Sequence, residues 1–188
     1  METYKNLHLA AFTLEEWKVW LQKNHTIAPG IWLKFAKKGS GITTVTYIEA
    51  RDLAIQYGWI DGLINKFDEQ YYLIRFTPRG PKSVWSKVNK AVAENLIKNK
   101  QMTTAGLATI ETAKKNGQWD NAYDAPSTMQ MPDDFKQALN KNLGTHEFFE
   151  SISKANRYAF FYRLHHAKNR EAMIQKFVQM LENGEVFH

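Results

Sequence analysis

The 188 residues carry 25 Lys/Arg against 19 Asp/Glu, a net charge of +6, with 44% hydrophobic and 13% aromatic content and no cysteine. That length and apolar content describe a packed globular chain of one or two domains and exclude a disordered one. Without cysteine there are no disulfides, thiolate metal sites or cysteine nucleophiles, and no run in the sequence approaches the roughly 20 apolar residues of a membrane helix.

The opening METYKNLHLAAF has neither the charged start nor the long apolar run of a secretory leader, so a cytoplasmic protein is the expectation. Thr13 and Glu16 form a capping box that starts a helix from Leu14 to about Asn24. Phe12 staples to Trp17, and Trp17, Trp20 and Leu21 share its buried face. Pro29-Gly30 breaks the chain, and the alternation in Ile31–Ala36 predicts a half-buried strand. Lys37-Lys38-Gly39-Ser40-Gly41 reads as a flexible connection. A second capping box, Thr46 with Glu49, opens a helix over Tyr47–Tyr57. Its seam is Ala50, Leu53, Ala54 and Tyr57, widened by Ile48 and Ile55, and Gly58 fits the left-handed position that ends it. Trp59-Ile60-Asp61-Gly62 turns into a strand at Leu63–Phe67. Tyr71–Phe76 returns after a hairpin loop at Asp68-Glu69-Gln70. With Ile31–Ala36 this makes a small antiparallel sheet of at least three strands.

After Thr77-Pro78-Arg79-Gly80-Pro81, Ser83 is expected to cap a helix over Val84–Lys98. Val84/Trp85, Val88, Ala91/Val92 and Leu96 form its apolar face, opposite Lys87, Lys90, Glu94 and Lys98. Thr103 caps Thr104–Asn116, and Gly117 closes it. Residues 118–132 have loop composition and no period, which predicts a linker between an α+β domain at 1–117 and a helical segment at 133–188. In that segment Phe135, Ala138 and Leu139 mark a helix ending at Gly144. Thr145 caps a short one bearing Phe148, Phe149 and Ile152. Ser153 caps Lys154–Ala167, where Tyr158, Phe161, Tyr162 and His165 share a face. Asn169 caps the last, with Met173/Ile174, Phe177/Val178 and Leu181 as its core. The fold class is α+β: a small antiparallel sheet with packed helices, followed by a C-terminal helical bundle.

Charge is concentrated rather than spread. Residues 75–100 hold seven Lys/Arg (75, 79, 82, 87, 90, 98, 100) and one acid, Glu94, an excess of +6 equal to that of the whole chain, so the other 162 residues sum to zero. Arg75, Arg79, Lys82, Lys87 and Lys90 beside Trp85 suit a grip on phosphates or an anionic headgroup, with an indole to stack on a ring. An anionic small ligand or nucleic acid is the partner this surface implies. The competing reading is a solvated helix face with Trp85 in the core.

Trp59 and Asp61 carry the alternative, an enzyme of unassigned reaction whose pocket they line, because burial beside an indole raises a carboxyl group toward acid/base use. Against it, aspartate often binds the amides of a turn, and no second carboxylate stands at a glycosidase spacing. Adjacent His165 and His166 diverge by about 100° on a helix. His8, His25, His146 and His188 form no HExxH pattern, so neither metal nor cofactor is expected. Gly39-Ser40-Gly41 is no nucleophile elbow, and the lysines before it make no Walker loop. Arg157 is expected to pair with Glu150. A third reading is a scaffold that dimerises through aromatic surface.

GWIDG at Gly58–Gly62, RFTPRGPKSVWSKVN at Arg75–Asn89, MTTAGLATIETAKKNGQW at Met102–Trp119 and the tail Phe148–Glu185 together resemble the bacterial YdeI/OmpD-associated, bacteriocin-protection-like family. The resemblance runs from about Gly30 to Glu185. It implies a cytoplasmic protein of antimicrobial-peptide and envelope-stress tolerance, and it brings no catalytic residues. Relatives carry a richer Arg/Thr run before the last helix, where this chain has Lys168-Asn169-Arg170-Glu171.

Overall fold

A computed structural model describes residues 9–187; His8 and His188, weighed above as metal ligands, lie outside the described residues. The chain divides between Ala122 and Tyr123 into two compact units.

Local capping sets the helix starts of the first unit. At the start of α1 (Leu14–Asn24) the Thr13 amide and hydroxyl donate to the Glu16 carboxylate at 2.8 and 2.9 Å, and Phe12 stacks on Trp17. The same reciprocal box between Thr46 and Glu49 opens α2 (Tyr47–Gln56). Around them lie β1 (Leu9–Ala10), β2 (Ile31–Ala36), β3 (Trp59–Lys66) and β4 (Tyr71–Pro78), in the order β1-β2-β4-β3. The β2–β4 and β4–β3 pairs are antiparallel, but β1 runs parallel to β2, with Leu9 opposite Trp32. The sheet is therefore mixed, not wholly antiparallel as expected: a two-residue strand is too short to show alternation. Trp17 and Leu21 from α1, Ile31, Leu33 and Phe35 from β2, Ala50 and Ala54 from α2, and Trp59, Ile74 and Phe76 close the core.

Two departures from expectation concern β3 and α2. The strand begins at Trp59 rather than Leu63, and the Gly62 turn is a bulge between Asp61 and Ile64. Ladder bonds to β4 draw Trp59 and Ile60 into the sheet, where their sequence reads as a turn. Ile48, expected to widen the α2 seam, is 61% exposed. Ile55 instead enters a second cluster with Trp85, Ala93, Ile110 and Trp119.

That second cluster gathers α3 (Lys87–Lys98) and α4 (Thr104–Lys115). Ser86, not Ser83, caps α3, accepting from the Asn89 amide at 3.1 Å. Ser83 is taken up earlier, its hydroxyl accepting from Gly80 N–H at 3.0 Å. The helix consequently starts after Trp85. Its buried residue is Ala93, flanked by Val92 and Leu96, while Val88 and Ala91 lie exposed.

The second unit holds α5 (Asp133–Leu139), α6 (Leu143–Ser151), α7 (Lys154–His165) and α8 (Arg170–Glu182). Its core is built on Phe135, Phe149, Phe160, Phe161 and Phe177 with Leu139, Leu164 and Leu181. Asn142 caps α6 and Thr145, the expected cap, is buried inside it. On α7 the deepest seam is Phe160, Phe161 and Leu164. Tyr158, Tyr162 and His165 form a half-buried flank, with Tyr123 set edge-on to Tyr162 at 5.0 Å. Residues 118–132 are shared out: Trp119 and Ala122 are buried in the first unit, and Met129 and Met131 pack on the core of the second.

Candidate functional site

The basic stretch begins on β4 and ends after α3. Arg75 projects from a strand whose alternate residues Tyr72, Ile74 and Phe76 face the core, so its side chain lies on the opposite sheet face, exposed. Lys82, Lys87, Lys98 and Lys100 are exposed as well. Arg79 and Lys90 are placed differently. Arg79 is buried, its guanidinium 3.7 Å from the Trp85 ring centre and donating to the Val84 carbonyl at 3.1 Å. Trp85 meets Trp119 edge-on at 4.9 Å. Lys90 closes the series, 5.2 Å over Trp119 and donating to the Trp119 carbonyl at 3.2 Å. Two of the seven cations thus flank an indole pair, which ties the loop 79–86 and the start of α3 to Trp119. Trp119 was missed because it sits in aperiodic sequence; the only signal for it was a large aromatic in otherwise polar surroundings.

Trp59 and Asp61 separate in role. Trp59 is 1% exposed, packs edge-on against Trp20, and donates its indole N–H to the His25 carbonyl at 3.0 Å. That indole is a core member. Asp61 is half-buried and accepts from the Tyr47 hydroxyl at 3.0 Å. Tyr47 in turn lines an open concavity of about 410 Å³ formed by residues 35–47 with Tyr72. Lys37, Lys38, Ser40 and Thr44 stand around it, over the stacked rings of Phe35 and Tyr72, and burial raises the Tyr72 phenol above its usual range. Asp61 therefore orients a tyrosine at the wall of this hollow. Tyr47 was absent from the sequence-level site because its partner lies 14 residues away on another element.

In the second unit a concavity of about 350 Å³ is lined by Met129, Met131, Phe149, Tyr158 and Phe161, with Lys154 and Arg157 among its polar residues. Arg157 pairs with Glu150 at 2.6 Å, as its position predicted. Burial, with Tyr123 and Tyr162 close by, pushes the Tyr158 phenol up to about 12. Among the described residues no three histidines or acids gather as a metal-binding group, and no helix is long and apolar enough to cross a membrane.

Residues 9–109, more than half of the chain, match the family model described as Domain of unknown function (DUF8412). The chain belongs to that family. The DUF8412 region holds the sheet, α1 to α3, the Arg79–Trp85 contact and the 35–47 concavity. Residues 128–184 match a second model, described as Bacteriocin-protection, YdeI or OmpD-Associated. The resemblance expected from Gly30 to Glu185 is thereby confined to the helical segment, and GWIDG and RFTPRGPKSVW fall within the DUF8412 match. No curated protein and no solved structure matches the chain.

Proposed function

We propose that this DUF8412 protein is a cytoplasmic, non-enzymatic stress-tolerance protein that binds a polyanion through the exposed cations of residues 75–100. The observation that carries this reading is the charge distribution: the stretch holds an excess of +6 and the remainder of the chain sums to zero. Five of its seven cations are exposed, and the other two brace the loop 79–86 and the start of α3, which carry Lys82 and Lys87, through Trp85 and Trp119. Bracing lowers the ordering cost of presenting charges to a ligand. The bacteriocin-protection description of the matched C-terminal segment supports the stress-tolerance role.

A salt titration against duplex DNA, single-stranded RNA and nucleotides tests it. If four cations engage duplex phosphates, log K falls against log salt with a slope of about −3 to −4. Lys82→Glu with Lys87→Glu is expected to abolish binding, and Lys37→Glu with Lys38→Glu to leave it nearly unchanged. A second reading, a small anionic ligand in the 35–47 concavity, is favoured by the Tyr47–Asp61 hydrogen bond at its wall. It reverses the two double mutants. Absence of binding at low salt overturns both.

A further inference from the structure

The walls of the concavity of about 350 Å³ in the second unit are chemically divided. Met129, Met131, Phe149 and Phe161 supply apolar surface, and Lys154, Arg157 and Glu150 supply charge. One helix face sets the division. Lys154, Arg157, Tyr158 and Phe161 stand at i, i+3, i+4 and i+7 of α7, a single stripe that passes from cations in the first turn to aromatic rings beyond it. The two methionines come from the chain before α5, where they pack on the phenylalanine core. An unbranched thioether adapts its shape to whatever lies beside it.

The charges of the lining do not cancel. Arg157 Nη1 donates to Glu150 at 2.6 Å, which holds the guanidinium at the wall and engages the one acid of the lining. Among the described residues Lys154 has no acidic partner, and the remaining N–H groups of Arg157 have no acceptor. Two cations against one acid leave a single positive charge. The Tyr158 phenol, pushed up to about 12 by burial and by Tyr123 and Tyr162 close by, stays neutral and adds nothing of the opposite sign. Unused donors beside an apolar floor suit a ligand with one anionic end and one greasy end.

We propose that this concavity binds a small amphipathic carboxylate, with its apolar body against Met129, Met131 and Phe161 and its carboxylate between Lys154 and Arg157. The volume stands near the lower end of the range of small-molecule sites, about 300–1,000 Å³, which suits a free acid rather than a peptide helix. The inference concerns the second unit alone and is independent of the polyanion binding proposed for residues 75–100.

Decanoate is the probe, titrated into the full chain carrying methyl-labelled methionine. The methyl resonances of Met129 and Met131 are expected to shift and saturate, while that of Met102, which packs on the α3–α4 cluster of the first unit, stays in place. Decyltrimethylammonium keeps the chain and reverses the charge, and acetate keeps the charge without the chain. Each is expected to bind at least about tenfold more weakly, as the loss of a charged hydrogen bond or of the apolar contact requires. Lys154→Gln removes only the charge of an exposed side chain and is expected to lower decanoate affinity about tenfold. Lys154→Glu inverts the charge of the lining and is expected to prefer decyltrimethylammonium; a glutamate in the first turn suits the helix dipole, so α7 is retained. Equal affinity of the wild-type chain for decanoate and decyltrimethylammonium overturns the proposal. So do shifts at Met102 as large as those at Met129 and Met131, or the absence of any saturable shift.

Discussion

The guanidinium of Arg79 lies 3.7 Å over the ring of Trp85, in the interior of the first unit. Its backbone is tied as well, Arg79 N–H donating to the Gly58 carbonyl at 2.9 Å. A desolvated cation–aromatic contact contributes about 2 kcal/mol, and a hydrogen bond to a charged group about 1.5–3. Arg79→Ala is therefore expected to destabilise by about 2–4 kcal/mol in urea unfolding. Arg79→Lys restores only part, because an ammonium has no planar face to stack. A cost below about 0.5 kcal/mol, the range of ordinary surface substitutions, would place Arg79 among the solvated cations instead.

The junction of α2 with α4 is closed by two glycines. Gly58 has φ +76°, and a β-carbon there would stand 2.9 Å from Thr109 Cγ2 and 3.0 Å from the Ala105 carbonyl oxygen. At Gly106 a β-carbon would overlap the Gln56 carbonyl oxygen, which already accepts from the Thr103 hydroxyl at 2.7 Å. Alanine at either position should cost more than about 1 kcal/mol. Gly62, at the bulge in β3, differs: the nearest neighbour of a β-carbon there would be 3.7 Å away, an ordinary contact. Gly62→Ala is expected to be near neutral. Thermal melts of the three variants check the contrast.

His166 makes the second unit sensitive to mild acid. Burial, helped by the adjacent His165, lowers its pKa below the usual 6.5. Its ring packs against Tyr162 at 4.6 Å, His165 at 4.9 Å and Tyr123 at 5.6 Å. The unfolded chain binds this proton first, so stability is full above about pH 6.5 and falls as pH drops toward the folded-state value. Amide exchange along α7 should speed up across that window, and His166→Phe should remove the dependence.

Asp134 controls a lower window. Arg170 grips both its carboxylate oxygens, at 2.5 and 2.9 Å, and this hydrogen bonding lowers its pKa. The stabilisation is present above the unfolded carboxyl pKa and is lost as pH falls through the depressed folded value. Both side chains are more than a third exposed, so the pair contributes no more than about 1 kcal/mol. Asp134→Asn should cost that amount at neutral pH and nothing at the acid end of a urea series.

Proteolysis should select the short exposed run between the packed residues Ala122 and Met129, where Pro126, Ser127 and Thr128 are exposed. Limited digestion with proteinase K is expected to yield two stable fragments meeting there, identified by mass. First cleavage within α3 would show the basic helix to be the looser element.

What the sequence determined by itself is local. Thr13 with Glu16, Thr46 with Glu49, Ser153, Asn169 and the left-handed Gly58 mark helix ends through bonds spanning three or four residues, and those ends stand where the pattern put them. The alternation of Ile31–Ala36 likewise specified a strand by itself, and the charge count needed no fold at all. Tertiary structure decided whatever depends on a distant partner. Ser83 and Ser86 are equally good caps on paper, and the hydroxyl of Ser83 was claimed by Gly80. Phe160 became the deepest residue of α7, and Tyr158 its flank, because neighbouring helices supplied the phenylalanines to pack against. Arg79 reads as one cation among seven until the chain brings Trp85 against Trp119 and excludes water around it. A spacing pattern states which side chains share a face; only the packed fold states which faces lose their water, and burial sets whether a charge binds a ligand or holds the protein together.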